Sequence, residues 1–216
     1  MTANATNSVA LWPAGVASVF AYRHELQEPR RTMMTLGAAS LAGGALGAVL
    51  LLRTSNTTFV HLLPWLLLLA AMVFTFGGVL SARLRAGERP HGLGLPTVAV
   101  VQLVIALYGG YFGGGMGIMM LAALSLMGMT DIHAMNGLKT LLGTFINGIA
   151  VVAFIVAGAV AWGPGIVMIV GGAAGGYAGA TFARSLPAAA MRRVVLVVAW
   201  GMTAFFFWRT YLREGP

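Results

Sequence analysis

Long apolar stretches are the feature that most constrains the fold of this chain. Each approaches or exceeds the roughly 20 residues that a helix needs to cross about 30 Å of hydrocarbon. Only 8% of the residues are charged, whereas a soluble domain carries about 25%, so the chain cannot build a hydrated shell. The short alternating strands of an outer-membrane barrel are absent. We therefore predict an all-α polytopic membrane protein, with apolar stretches at 33–52, 60–80, 135–161, 163–183 and 190–208.

The excess of basic residues does not indicate a nucleic-acid partner, although 13 Lys+Arg face 5 Asp+Glu. The arginines lie at the ends of apolar stretches, where the positive-inside rule places them, and not among aromatics on a binding face. The chain has no cysteine, and its histidines lack metal-ligand spacing, so we expect no metal site and no cofactor. A nucleophile motif is also missing, and we predict that the chain is not an enzyme.

The first predicted span runs from Asn7 to Tyr22, and we expect Pro13 to kink or break it. The region 97–129 is less regular, because 108–117 contains six glycines within an apolar run. A continuous helix there would lose roughly 1 kcal/mol per glycine relative to alanine. We therefore predict two short helical arms joined at a glycine turn, as a re-entrant hairpin. The glycines assigned to this gating hairpin are Gly109, Gly110, Gly113, Gly114, Gly115 and Gly117.

The distribution of arginines favours this hairpin. With a re-entrant 97–129 and the loop at 23–31 in the cytoplasm, nine arginines lie inside and three outside. If 97–129 crossed once, the numbers would be eight and four. The positive-inside rule prefers the first arrangement, by a small margin.

The same order of motifs occurs twice along the chain: an asparagine in one span and a GGxxG group with a following arginine in the next. The first copy has Asn7, Gly43, Gly44, Gly47 and Arg53, and the second has Asn136, Gly175, Gly176, Gly179 and Arg184. Coincidence in a Gly/Ala-rich chain is the alternative reading. With the topology above, the copies have opposite orientations, as in secondary transporters built from inverted repeats. We assign 1–80 to the first repeat, 81–96 to a cytoplasmic linker and 97–216 to the second.

The second repeat opens with the glycine hairpin, but the first has no counterpart because Met1 falls just before its asparagine motif. We interpret this as a truncated product or a misassigned start site, in preference to a hairpin that is truly absent.

Taken together, these motifs resemble the TauE/SafE family of bacterial membrane transporters. The match rests on the glycine hairpin, on Asn4-Ala5-Thr6-Asn7 with Trp12-Pro13, on Met135-Asn136-Gly137-Leu138-Lys139-Thr140, and on Gly175-Gly176 and Gly179 with Arg184. The resemblance covers nearly the whole chain. It implies a multi-pass protein of the bacterial inner membrane that exports sulfite or small organosulfonates and has two four-helix repeats. The missing first hairpin departs from this pattern.

Lys139 is the only lysine and lies within an apolar stretch. A cation at that depth is costly, so it faces a cavity or a partner. We predict that it coordinates an anion; pairing with Asp131 or snorkelling to the surface is the structural alternative. Asn136 shares its helix face and Thr140 is adjacent. The asparagine amides could bind oxyanions or hold broken helices together, and the glycine turn could offer N–H groups to an anion or serve close packing. The predicted substrate-binding residues are Lys139, Asn136, Thr140, Asn7 and Asn147.

We therefore expect a permease that exports small anions by alternating access between two inverted repeats. Its partners would be a small anionic substrate and the lipid bilayer, with a homo-oligomer left open. A non-transporting membrane scaffold, an assembly protein or a truncated transporter remnant is the alternative.

Overall fold

The computed structural model describes residues 2–26, 28–86, 93–172 and 188–213, and these ranges contain helices and no strand, which confirms the all-α prediction. Within these ranges, four helical segments are long and apolar enough to cross a membrane: Arg30–Arg53, Asn56–Gly77, Ile132–Val156 and Arg193–Arg213. The helices are α1 (Thr2–Ala21), α2 (Arg30–Arg53), α3 (Asn56–Ala86), α4 (Leu95–Tyr111), α5 (Met116–Leu126), α6 (Ile132–Val156), α7 (Trp162–Gly172) and α8 (Ala188–Phe207), the last continued by a π-helical turn at Trp208–Arg213.

Helix α1 begins five residues before the predicted start at Asn7 and continues unbroken through Pro13. Of the two outcomes predicted for Pro13, the break was wrong, and the kink stays a prediction. The first two turns of α1 are polar, and two of their side chains bond to the rest of the protein. Asn4 Nδ2 donates to the carbonyl oxygen of Tyr111 at 3.3 Å, and Thr6 Oγ1 accepts from the Ala161 nitrogen at 3.0 Å. These bonds hold a polar helix end against the bundle.

The glycine-rich region forms the two short arms expected of it, α4 and α5. The Leu93 nitrogen, before α4, donates to the carbonyl oxygen of Leu126, the last residue of α5, at 2.7 Å. Both ends of the hairpin therefore lie on the same side of the bundle. Its tip packs near Gly47, six residues before the end of α2, or roughly 9 Å of helix. From there the Tyr111 side chain reaches the end of α2, where its hydroxyl donates to the Thr54 Oγ1 at 3.4 Å.

Helix α2 lies between α4 and α6 because its glycines let both helices approach closely. A methyl group on Gly47 would lie 2.8 Å from the Tyr111 nitrogen of α4. One on Gly44 would lie 3.0 Å from the Ile146 Cα of α6. Small residues at this spacing permit such packing in membranes, and the first GGxxG group makes these contacts here. The corresponding glycines, Gly175, Gly176 and Gly179, lie with Arg184 outside the described residues.

Helices α1 and α6, which contain Asn7 and Asn136, pack side by side in opposite directions. The end of α1 meets the start of α6, where a Cβ on Gly137 would lie 3.3 Å from the Glu25 Cβ. The start of α1 meets the end of α6, through the bond between Thr6 and Ala161.

Candidate functional site

A cavity of about 310 Å³ lies where α1, α6 and the glycine turn meet. Its polar side chains come from two helices of distant sequence, and the turn supplies backbone. None of the described residues that line it is charged. The lining consists of Asn4, Asn7, Ser8, Leu11, Trp12, Gly15, Phe112, Gly113, Gly114, Met116, Thr144 and Asn147.

The cavity brings together four of the residues singled out from the sequence: Asn7, Asn147, Gly113 and Gly114. Asn7 is exposed and Asn147 is partly buried. Neither carboxamide has a hydrogen-bond partner among the described residues. Both amides are therefore available to a bound molecule, each with two N–H donors and one carbonyl acceptor.

Sequence reasoning missed part of the α1 wall. Asn4, Ser8, Leu11 and Gly15 recur at intervals of three and four residues, which places them on one face of a helix. Trp12 is next to that face and reaches across to α6, where its Nε1 donates to the Thr144 carbonyl oxygen at 3.1 Å. This periodicity was present in the sequence and could have identified the face.

The glycine turn depends on backbone conformations that side chains disfavour. Gly113 and Gly115 have φ angles of 84° and 77°, in the left-handed region where only glycine is unstrained. Tyr108 braces the turn from α4, because its hydroxyl donates to the Gly114 carbonyl oxygen at 2.7 Å. The peptide groups of the turn therefore form one rim of the cavity at a fixed position.

The remaining hairpin glycines pack against neighbouring helices. A Cβ on Gly109 would lie 3.0 Å from the Ile146 Cγ2 of α6, and Gly110 contacts the backbone of Gly44 in α2. Gly117 faces α6, where a Cβ would lie 3.4 Å from the Lys139 Cδ. The hairpin is thus fixed to both long helices that flank it.

The cavity lining does not include Lys139, Asn136 or Thr140. The Lys139 ammonium donates to the Asn136 Oδ1 at 2.8 Å, and both side chains are partly buried. The Thr140 carbonyl oxygen accepts from the Thr144 hydroxyl at 2.8 Å. The structure therefore joins the lysine to one predicted partner but places this pair beside the start of α5. Their assignment to a substrate site stays a prediction.

A polar stripe on α6 runs from the Lys139–Asn136 pair to Asn147 in the cavity lining. Asn136, Thr140, Gly143 and Asn147 follow one another at intervals of four, three and four residues, so they share one helix face over roughly 16 Å. Halfway along it, Met116 from the hairpin covers Gly143, where a Cβ would lie 3.8 Å from the methionine Cε. Met116 also lines the cavity. Its thioether side chain therefore stands between the cavity and Lys139.

The comparisons with known proteins agree with this architecture. A family model described as "Sulfite exporter TauE/SafE" matches residues 1–206 of the 216. No curated protein and no solved structure matches the chain. Since the family match spans nearly the entire sequence, the protein belongs to the TauE/SafE sulfite exporter family.

Proposed function

We propose that this protein is a permease of the bacterial inner membrane that exports small anions such as sulfite or organosulfonates. Membership of a sulfite exporter family supports the class of substrate, and the spanning helices support a multi-pass membrane protein. The observation that carries the proposal is the cavity of about 310 Å³ between α1, α6 and the glycine turn. Transporter sites lie at such junctions between repeats and broken helices.

In this proposal the cavity binds its substrate through neutral donors. The carboxamides of Asn7 and Asn147 would donate to the oxygens of a sulfite or sulfonate group. Hydrogen bonds to an ionised group are worth about 1.5–3 kcal/mol each when the donor has no competing partner. A neutral lining also lets the anion leave again, because it avoids the tight ion pair that a buried arginine would form.

Lys139 would supply positive charge on the path to this cavity, not inside it. The α6 stripe leads from the Lys139–Asn136 pair, past Thr140, to Asn147. Met116 lies across the stripe at Gly143 and would act as a gate of one side chain. Substrate movement then requires the Met116 side chain to move away from Gly143.

Alternating access would follow from the two repeats proposed for 1–80 and 97–216, joined by the linker at 81–96. The antiparallel packing of α1 on α6 supports this arrangement. Two inverted helices exchange conformations when the site switches from one side of the membrane to the other. The hairpin, fixed to α2 and α6 through glycine contacts, would move with those helices as one body.

Efflux of radiolabelled sulfite from proteoliposomes tests the proposal. We expect Asn147→Ala to reduce the initial rate about tenfold, since one hydrogen bond to the anion is lost. Asn56→Ala, an exposed asparagine at the start of α3, is the matched control and should keep its rate. Wild-type protein that gives no efflux above empty vesicles, with sulfite and with each sulfonate of a panel, would overturn the proposed function.

Lys139→Gln tests the proposed path separately, because it removes the charge and keeps a polar side chain of similar length. We expect slower efflux together with a smaller effect of ionic strength, since attraction of the anion by a fixed charge is screened by salt. Efflux that persists unchanged would remove the lysine from the mechanism and leave the cavity as the only site of substrate recognition.

A further inference from the structure

An open groove of about 410 Å³ lies between α2 and α6, on a face that the transport proposal does not use. Its floor is at Gly37 and Ala38, where α2 has no bulky side chain. A Cβ on Gly37 would lie 3.3 Å from the Phe145 ring of α6, so this aromatic residue forms the opposite wall. The lining residues are Arg30, Met33, Met34, Gly37, Ala38, Leu41, Leu141 and Phe145.

The groove opens outward from the bundle. Met34 is 70% exposed and Leu41 is 42% exposed. In a helix that crosses the membrane, such side chains face hydrocarbon. Methionine side chains adapt their shape to irregular apolar partners, which suits a wall that contacts a flexible chain.

Arg30, at the first turn of α2, is the one charged residue among the described residues of the lining, and the others are apolar. It is exposed and has no ion-pair partner among the described residues. From Arg30 to Leu41 the groove follows eleven residues of α2, or roughly 16 Å. This length matches one leaflet, about half of the ~30 Å hydrocarbon core. A charged side chain at the membrane surface suits a lipid head group, and apolar contacts that extend to mid-bilayer suit its acyl chain.

We propose that this groove binds one anionic phospholipid from the leaflet on the side of the α1–α2 loop. The phosphate lies against the Arg30 guanidinium, which matches phosphate oxygens with two parallel N–H donors. One acyl chain lies over the exposed Ala38, between the side chains of α2 and those of α6. Basic pockets between membrane helices recognise lipid head groups in this way. The lipid then covers the seam between the two helices that hold the glycine hairpin.

Native mass spectrometry of the detergent-purified protein tests the proposal with two lipids of identical acyl chains. We expect one retained phosphatidylglycerol, favoured about fivefold over phosphatidylcholine, the ratio that one arginine near an anionic head group supplies. Equal retention of the two lipids would overturn the proposal. Free glycerol phosphate added in excess should not displace the lipid. Displacement would show that the site recognises phosphate alone, which also contradicts it.

Two variants locate the lipid. Arg30→Gln should reduce phosphatidylglycerol retention about fivefold. The matched control is Arg31→Gln, an exposed neighbour that does not line the groove, and it should stay within about twofold of wild type. An equal loss in both variants would indicate general attraction to anionic lipid.

Ala38→Phe fills the groove from an exposed position and should reduce retention of the lipid while Arg30 is still present. Unchanged retention in that variant would place the lipid elsewhere.

Discussion

The indole nitrogen of Trp12 donates a hydrogen bond of 3.1 Å to the carbonyl oxygen of Thr144, a residue 132 positions away. This bond joins α1 to α6, the helices that contain Asn7 and Asn136. It also closes one side of the cavity, because both residues line it. The indole rests on Gly148, where a Cβ would come within 3.0 Å of Nε1. Local packing at Trp12 therefore fixes both the helix pair and the site between them.

Trp12→Phe keeps an aromatic ring in this position but removes its N–H donor. We expect a loss of more than about 1 kcal/mol of stability, because the variant loses one hydrogen bond and also the contact of the indole with Gly148. Thermal denaturation of the detergent-solubilised protein measures it. Trp162→Phe is the control, since that side chain is 54% exposed and lies on α7. A larger loss in the control would mean that the bond between Trp12 and Thr144 contributes little.

Gly47→Ala should destabilise the protein strongly. The added methyl group would meet the Leu107 carbonyl oxygen and lie 2.8 Å from the Tyr111 nitrogen, and backbone cannot move aside as a flexible side chain can. Overpacking of this kind costs about 1–3 kcal/mol. Gly201→Ala in α8 is the matched control. It has nothing within 4 Å of its added methyl, and it should be neutral or slightly stabilising because alanine favours helix. Equal melting temperatures of the two variants would contradict the close approach of α2 and α4.

A buried polar pair also joins α2 to α4. Gln102 Nε2 donates to Ser40 Oγ at 2.9 Å, and the two residues are 1% and 0% exposed. Gln102→Met alone leaves the serine hydroxyl without this partner, and we expect a loss of about 1 kcal/mol, within the range for such bonds in membrane proteins. Adding Ser40→Ala should recover part of it, because both polar groups are then gone. A double-mutant cycle on thermal unfolding measures the coupling free energy between Ser40 and Gln102. Losses that simply add in the double variant would refute the stabilising bond between them.

Met116→Ala should open the α6 stripe between the cavity and Lys139. Removing the side chain that covers Gly143 lowers the steric barrier to an anion. We therefore expect a several-fold faster passive leak of sulfite from proteoliposomes. Met119→Ala on the same helix is the control, since Met119 packs against the core and does not line the cavity. If neither variant leaks, or if both leak equally, Met116 is not the gate.

Much of the fold could be predicted from residue patterns because bilayer thickness restricts what apolar stretches can do. The stretch at 33–52 became α2, and 135–161 overlaps α6 with a shift of a few residues at each end. The hairpin was equally predictable, because glycines at 113 and 115 adopt the left-handed conformation that ends one helix and begins the next. Such features depend on local chemistry and on length.

The composition of the cavity was harder to predict, since it depends on which residues meet across long sequence distances. Lys139 was the most conspicuous residue in the sequence, yet the structure pairs it with Asn136 outside the cavity. Asn4 was not among the predicted substrate-binding residues, although it lines the cavity and bonds to Tyr111. Charge in an apolar stretch indicates that a residue needs a partner, but only packing determines where that partner lies.

The hydrogen bond between Leu93 and Leu126 that closes the base of the hairpin has a consequence for biogenesis. Helix α5, with 11 residues, is too short to cross the hydrocarbon alone, and α4, with 17, is at the lower limit. We therefore expect the two arms to enter the membrane as a joined unit, after α2 has been synthesised and offers its glycine face. Assembly of the hairpin would then follow the order of translation, with α2 in place before α4 and α5 pack on it.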